Sequence, residues 1–413
     1  MSIYDKAGVA LIPSGTKASK LYSVLPANGN GDFNATRGST ATRINKDGLI
    51  ESVATNVPRL DYPLIDGVVQ DCPALLLEPS RTNYVTNSED LTGGSKSVVT
   101  ATANTTETTD PSGGNNATKF QVTASGSDAY SRTQYTAALT NFSCFIYVKA
   151  AAGQKFQIFA ARDGYVQIVN GDLITCTGDW QKVEFSGTFS TTSSTVVLGI
   201  EFGHSATDSV SGQVYYCWGA QLEAGSYPTS YIPTSGSAAT RSADACYGSG
   251  TSAEFNDSEG VLFAEIAALA DDGTYSLISL SDNSSNNFII IGYKDTTNTL
   301  FCDAVIGGTR FVSNPTTIIN QEQFNKICLK YKSGDTDIYF NGFKILSSST
   351  TFTHSGNPIS ELEFRYFDNS LPFYGNTKQL MTFKTALNDS ELETLTSWDS
   401  FNAMATGQLY TIE

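Results

Sequence analysis

The residues able to do chemistry are few and scattered. There are two histidines, His204 after Glu201-Phe202-Gly203 and His354 in a Thr/Ser/Gly-rich stretch, and both read as loop side chains. No Gly-x-Ser-x-Gly elbow accompanies them, and no Walker loop or GxGxxG is present. Seven cysteines (72, 144, 176, 217, 246, 302 and 328) show no CxxC spacing, which argues against a metal cluster or a disulfide framework. Cys144, Cys176, Cys217 and Cys328 lie in apolar runs and read as buried free thiols, suited to folding in a reducing cytoplasm. Glycoside hydrolysis would need two carboxyls about 5–9.5 Å apart. The candidates are Glu361 with Glu363 and Asp335 with Asp337, spaced to share one face of a strand. Glu363 alternates with an apolar face and is expected to meet water, and Asp335 follows Ser333-Gly334 as a turn residue. Asp271-Asp272-Gly273 and Ser281-Asp282-Asn283 offer oxygen ligands of the kind calcium takes, without EF-hand spacing.

Sugar binding needs less machinery: an aromatic face to stack on a pyranose, and Asp, Asn or Arg beside it for the hydroxyls. Placed in loops or at strand ends, the candidates are Tyr130 with Arg132, Asp163 with Tyr165, Tyr293 and Tyr374. Trp180 and Trp218 fall on strands and are expected to pack.

The elements that must carry these residues are strands. Across 413 residues, charged side chains make up only 16%, so surface polarity comes from Ser, Thr, Asn and Gln. The formal charge of −16 argues against a nucleic-acid binder or adhesion to anionic lipid. The N-terminus lacks a secretory pattern and no apolar run is long enough to span a bilayer, so no membrane insertion is expected. Apolar runs such as Phe142–Lys149, Lys155–Ala160, Trp180–Phe189, Val196–Phe202 and Gln213–Leu222 alternate with Gly, Asn and Asp turns. A second set carries two hairpin signals, Gly307-Gly308 and Asn341-Gly342. In Lys326–Lys332 and Leu362–Phe367, period-two alternation predicts one buried and one wet face. The one helix predicted is late, with Asn388 as its cap and Glu391 completing a capping box.

The expected fold class is all-β: two tandem antiparallel β-sandwiches (jelly rolls) preceded by an irregular N-terminal arm. The divisions are an attachment or oligomerisation arm over 1–80, a jelly roll over 81–235, a linker over 236–253 that continues the Pro/Ser/Gly-rich stretch Tyr227–Arg241, and a second sandwich over 254–413. Ala-Thr-Arg recurs at 35–37, 41–43 and 239–241, too short a string to establish a repeat.

Several stretches carry a resemblance. Asp32–Glu51 (DFNATRGSTATRINKDGLIE), Pro58–Tyr62 (PRLDY) and Leu75–Asn83 (LLLEPSRTN) resemble a segment recurring in tailed-bacteriophage virion proteins, notably fibre-like ones. Trp218–Thr234 (WGAQLEAGSYPTSYIPT), closing in Ala239–Asp244 (ATRSAD), is similar to the end of a carbohydrate-binding-module-like jelly roll in the same proteins. Asp337–Gly342, Phe373–Leu380 and Phe383–Leu392 resemble a concanavalin-A-like (laminin-G-like) lectin or glucanase sandwich, although the Glu-x-Asp-x-x-Glu string of its hydrolases is absent.

The resemblance implies a bacteriophage fibre or decoration protein, located in the virion after assembly in the host cytoplasm. Its lectin-like domains would adhere to host-surface polysaccharide, and its other partners would be virion proteins and copies of itself, most often as a homotrimer. No heptads are present from which to derive a trimer. A purely architectural component without sugar affinity and a capsule-glycan hydrolase are the alternatives. No cofactor is implied beyond the calcium considered above, no catalytic residue is assigned, and nucleic acid is not an expected partner.

Overall fold

The computed structural model describes residues 2–62, 64–65, 68–203, 208–318 and 320–398. His204 therefore lies outside the described residues. The fold is all-β, built from antiparallel sheets that pack as two sandwiches.

The jelly roll has two sheets. In the first, Ser95–Ser97, Tyr130–Thr136, Thr195–Phe202, Lys155–Arg162 and Gln167–Asn170 follow one another, and Ile174–Thr175 also pairs with Lys155–Arg162. The second runs Val99–Thr102, Thr118–Val122, Val214–Ala224, Asn141–Ala150, Gln181–Thr188. Alternation sends Val196, Leu198, Ile200 and Phe202 inward against Phe142, Cys144, Ile146 and Val148 of the facing sheet. All seven thiols are free and six are buried.

The second sandwich includes strands from the start of the chain. Its larger sheet orders Phe343–Ser348, Thr336–Phe340, Asn325–Lys332, Glu259–Ala268, Gly375–Phe383, Ala74–Leu77 and Arg59–Asp61, with Ala7–Leu11 also on Gly375–Phe383. Thr309–Thr317, Thr299–Ile306, Asn287–Tyr293, Ser276–Ser284 and Glu361–Glu363 form the facing sheet. Val9, Leu11, Leu75 and Leu77 are buried in the same core as Leu262, Leu329 and Leu380.

Residues 1–80 thus differ from the expected irregular arm. Their apolar residues have partners within the chain, and the register Leu75↔Thr377 and Ala10↔Met381 places them in the sheet. The 236–253 segment is likewise not a free linker. Ala239–Arg241 pairs with Arg81–Asn83, where the chain enters the jelly roll, and Ala245–Tyr247 pairs with Phe33–Thr36. The jelly roll is inserted between strands of one larger body, with its entry and exit side by side.

Two local expectations hold. Gly307-Gly308 and Asn341-Gly342 turn the hairpins they flank, all four at positive φ. Helix Asp389–Thr396 begins at Asn388, whose Oδ1 accepts from the Glu391 N–H at 3.0 Å, while the Glu391 carboxylate accepts from the Asn388 N–H at 3.1 Å. Leu392 and Leu395 pack with Val261, Phe263 and Met381 on the outer face of the large sheet. No helix among the described residues is long and apolar enough to cross a membrane.

The wet faces predicted for two strands are covered only in part: Lys332 stays exposed and Lys326 and Arg365 half-buried, whereas Lys330 and Glu363 are buried. Lys330 is buried because Asp335 and Asp337 both pair with it. Glu363 is wholly buried and paired with Arg365 at 2.6 Å.

Candidate functional site

The candidate site lies on the outer face of the first jelly-roll sheet. Since Ile158, Leu198 and Ile200 point into the core, their neighbours point out. Register then aligns Tyr130 with Glu201 and Gln157, and Arg132 with Gly199 and Phe159. Gly199 is required here: a Cβ at this position would lie 2.0 Å from the Phe159 ring. The missing side chain lets that ring lie across the sheet towards Arg132.

Arg132 is the centre of the arrangement. Its guanidinium sits 3.5 Å from the centroid of the Tyr130 ring, 5.3 Å from that of Tyr165 and 5.5 Å from that of Phe159. Such contacts fix the orientation of a cation without consuming its N–H donors. The Arg132 Nε–H has no hydrogen-bond partner among the described residues.

Tyr165 reaches this face because of the hairpin that carries it. Asp163, Gly164 and Tyr165 all adopt positive φ, with Asp163 at 46° and Tyr165 at 74°. Asp163 Oδ1 accepts from the N–H groups of Ser194 and Thr195 at 2.8 and 3.0 Å, which ties the hairpin to the neighbouring strand. Those two backbone donors also hold the Asp163 carboxyl below its ordinary range. Asp163 is thus a positioning residue. Tyr165, Val166 and Ile168 form an exposed ridge beyond it. Beside Arg132, a small cavity of about 110 Å³ is lined by Asp128, Tyr130, Glu201, Gly203 and Ser209.

Four of the six residues expected from the sequence therefore meet on one face. Tyr293 does not. It is fully buried, its hydroxyl donating to Ile266 O at 2.9 Å and accepting from Asn325 Nδ2 at 3.2 Å, so it is a core residue rather than a ligand contact. Tyr374 lies elsewhere, in a cleft of about 380 Å³ between the two sandwiches with Arg81, Tyr227, Asp272 and Tyr275. Sequence reasoning missed Phe159 and Gly199, which belong to the site through register alone.

Three of the four acids suited to hydrolysis are engaged in ion pairs, Asp335 among them through Lys330, and Glu361 accepts from Asn283 Nδ2 at 2.7 Å. Glu363 pairs with Arg365, and Asp337 with Lys330 and with Lys344 at 3.4 Å. The loop carboxylates considered for calcium hold their own chain. Asp271 accepts from Asn298 N and Gln321 Nε2, and Asp282 accepts from Ser284 and from Asn287 Nδ2 at 2.9 Å. Among the described residues, no group of three His, Cys, Asp or Glu side chains converges as a metal site.

A larger cleft, about 530 Å³, opens on the opposite side of the jelly roll, where the second sheet meets the N-terminal segment. Phe145, Tyr147 and Trp180 form its aromatic walls, and Ile44 and Asp61 close it from the other side. Trp180, expected to be packed, is only half-buried and donates its indole N–H to Thr109 O at 2.8 Å. Trp218 is packed as expected, 1% exposed against Tyr231.

The sequence matches no protein-family model and no curated protein. Among solved structures, the fold is similar to TmCBM61 in complex with beta-1,4-galactotriose, at 13% identity and a TM-score of 0.27, over 34% of this chain and 97% of that one. It is also similar to domains LG4-5 of the mouse laminin α1 chain, at 11% identity and a TM-score of 0.25, over 65% and 93% of the two chains. Trypanosoma rangeli sialidase in complex with the inhibitor DANA is similar at 10% identity and a TM-score of 0.30, over 71% and 62%.

Proposed function

We propose that this protein is a bacteriophage virion component, a fibre or decoration, that adheres to host-surface glycans through the outer face of the first jelly-roll sheet. The observation that carries glycan adhesion is the Arg132 guanidinium set against the exposed Tyr165, the half-buried Tyr130 and the buried Phe159 beneath it. Aromatic faces stack on the C–H side of a pyranose, while an oriented guanidinium offers donors to ring hydroxyls or a sugar carboxylate. Supporting binding rather than turnover, Asp335, Asp337 and Glu363 are each tied to lysine or arginine. The virion assignment rests on the sequence resemblance, and self-assembly and other virion proteins as partners come with it.

A glycan array of host-surface polysaccharides tests the adhesion. Arg132→Ala and Tyr165→Ala are expected to lower the signal while leaving the unfolding midpoint close to that of the parent. An array silent for the parent protein would favour the architectural reading.

A further inference from the structure

The cleft on the opposite side of the jelly roll has the properties of a ligand site. About 530 Å³ falls within the range of pockets that enclose small molecules. Its walls are mainly aromatic and aliphatic, yet two polar groups inside it are unspent. Asp61, which lines the cleft, accepts from Ile44 N through Oδ1 at 2.7 Å, and its Oδ2 has no hydrogen-bond partner among the described residues. The Tyr147 hydroxyl likewise has none, although its ring is fixed against Phe145 and Trp218. Its neighbours are committed. Arg43 pairs with Glu51 at 2.6 Å, Lys182 with Glu184 at 2.5 Å, and Glu78 with Arg59 and Arg241.

From this geometry we infer that the cleft binds a neutral pyranose carrying an apolar substituent, such as a 6-deoxy or N-acetyl sugar, stacked by Trp180 and Tyr147 and hydrogen-bonded by Asp61. Charge complementarity selects a neutral ligand: the charges lining the cleft balance, Arg43 and Lys182 against Asp61 and Glu78. The aliphatic side of the cleft, Ile44, Ile50 and Leu64, suits a methyl group where a plain hydroxyl would lose its water. The site lies on the other sheet from Arg132 and does not depend on it, so the jelly roll would carry saccharide on both faces.

The test is a fluorescence titration of the full chain with methyl α-L-rhamnoside and N-acetylglucosamine, with glucosamine and glucuronic acid as charged controls. Trp180 lines the cleft and is the reporter, and Trp180→Phe separates its signal from those of Trp218 and Trp398. The two neutral sugars are expected to shift the emission and the charged ones to leave it flat, with the response absent in Trp180→Phe. Asp61→Asn, which keeps the acceptor for Ile44 N, and Tyr147→Phe are each expected to weaken binding about tenfold. Arg132→Ala is expected to bind as the parent does. An unchanged emission with the neutral sugars, or full affinity in Asp61→Asn and Tyr147→Phe alike, overturns the assignment. Failure of the Arg132 face on the glycan array would leave this result untouched, so the two sites are judged separately.

Discussion

Arg37 and Asp244, 207 residues apart in the chain, meet through a contact of 3.0 Å between Nη1 and Oδ1 in the interior. Asp244 also pairs with Arg59 and accepts from the Glu78 N–H, while Glu78 pairs with Arg59 at 2.6 Å and with Arg241 at 2.9 Å. Arg37 spends its other donors on Ser39, Ala54 and Val57 carbonyls, and Arg241 reaches Pro79 O at 2.7 Å. Three guanidinium groups and two carboxylates are thus buried together where the N-terminal segment, the jelly-roll exit and the second sandwich converge. The stretches that carry the virion resemblance, 32–51, 58–62, 75–83 and 218–244, contribute all five residues. Two of the three Ala-Thr-Arg strings end in a buried member, Arg37 and Arg241, whereas Arg43 ends the third at a partly exposed pair with Glu51.

Breaking this cluster from one side leaves charge without a partner, which costs about 3–5 kcal/mol in buried pairs. Glu78→Gln is therefore expected to lower the unfolding free energy by that amount in a urea titration. Burial by itself would raise the Glu78 carboxyl, but Arg241 and Arg59 outweigh it and hold the group at about 2. An acid depressed in the folded state stabilises above its unfolded pKa, and that contribution fades as pH falls through the folded value. The Glu78 contribution is expected to be complete above pH 4.5 and to disappear towards pH 2. A parent and Glu78→Gln pair with the same stability at pH 7 would refute this role.

Deleting residues 1–80 removes Val9, Leu11, Leu75 and Leu77 from the core of the second sandwich and uncovers strand Gly375–Phe383. Each buried aliphatic side chain contributes about 1.5–3 kcal/mol, comparable in sum to the net stability of a domain. The truncated chain is expected to be insoluble or to lose its near-ultraviolet dichroism. A well-dispersed NMR spectrum from residues 254–413 would show that the sandwich closes without its N-terminal strands.

The pattern of what the sequence reveals follows from the range of the interactions. Asn341-Gly342 and the Asn388 cap act within a few residues, so their chemistry is readable directly. Ala7–Leu11 pairs with a strand more than 360 residues later, and nothing local announces that partner. Tyr130, Arg132 and Tyr165 were legible as an aromatic and cationic set near strand ends, whereas Tyr293 was misplaced because both faces of its strand are covered. Trp180 sits at the start of a strand, and only the N-terminal segment folded over it turns the strand's outer face into a cleft.

Asp61 makes the protein's stability depend on pH in the direction opposite to Glu78. Burial raises its carboxyl to about 6, and this outweighs the hydrogen bond from Ile44 N and the attraction of Arg59 and Arg43, with Glu78 adding to the rise. An acid raised in the folded state costs stability once it ionises, so the loss sets in above its unfolded value near 3.8 and is complete above pH 6. A group held at about 6 in place of 3.8 corresponds to roughly 3 kcal/mol. Asp61→Asn is expected to raise the melting temperature at pH 7.5 and leave it unchanged at pH 3.5. Equal melting curves at pH 7.5 would mean that the carboxylate is not desolvated.

Gly199→Ala separates the face that Arg132 organises from general stability. The added methyl cannot share space with the Phe159 ring at 2.0 Å, and the ring must swing away from the sheet. Phe159 also packs on Ala161 and Val197 outside the main core, so the displacement stays on the outer face. Forced repacking of this kind costs about 1–3 kcal/mol. The jelly-roll interior is expected to keep its fold, with the Ile158 and Ile200 amides still protected in hydrogen exchange and their protection lowered by no more than that cost. Array binding, by contrast, is expected to fall as far as it does in Tyr165→Ala, because Arg132 loses one of its three flanking rings. Glycan binding preserved in Gly199→Ala would show that Phe159 takes no part in orienting the guanidinium.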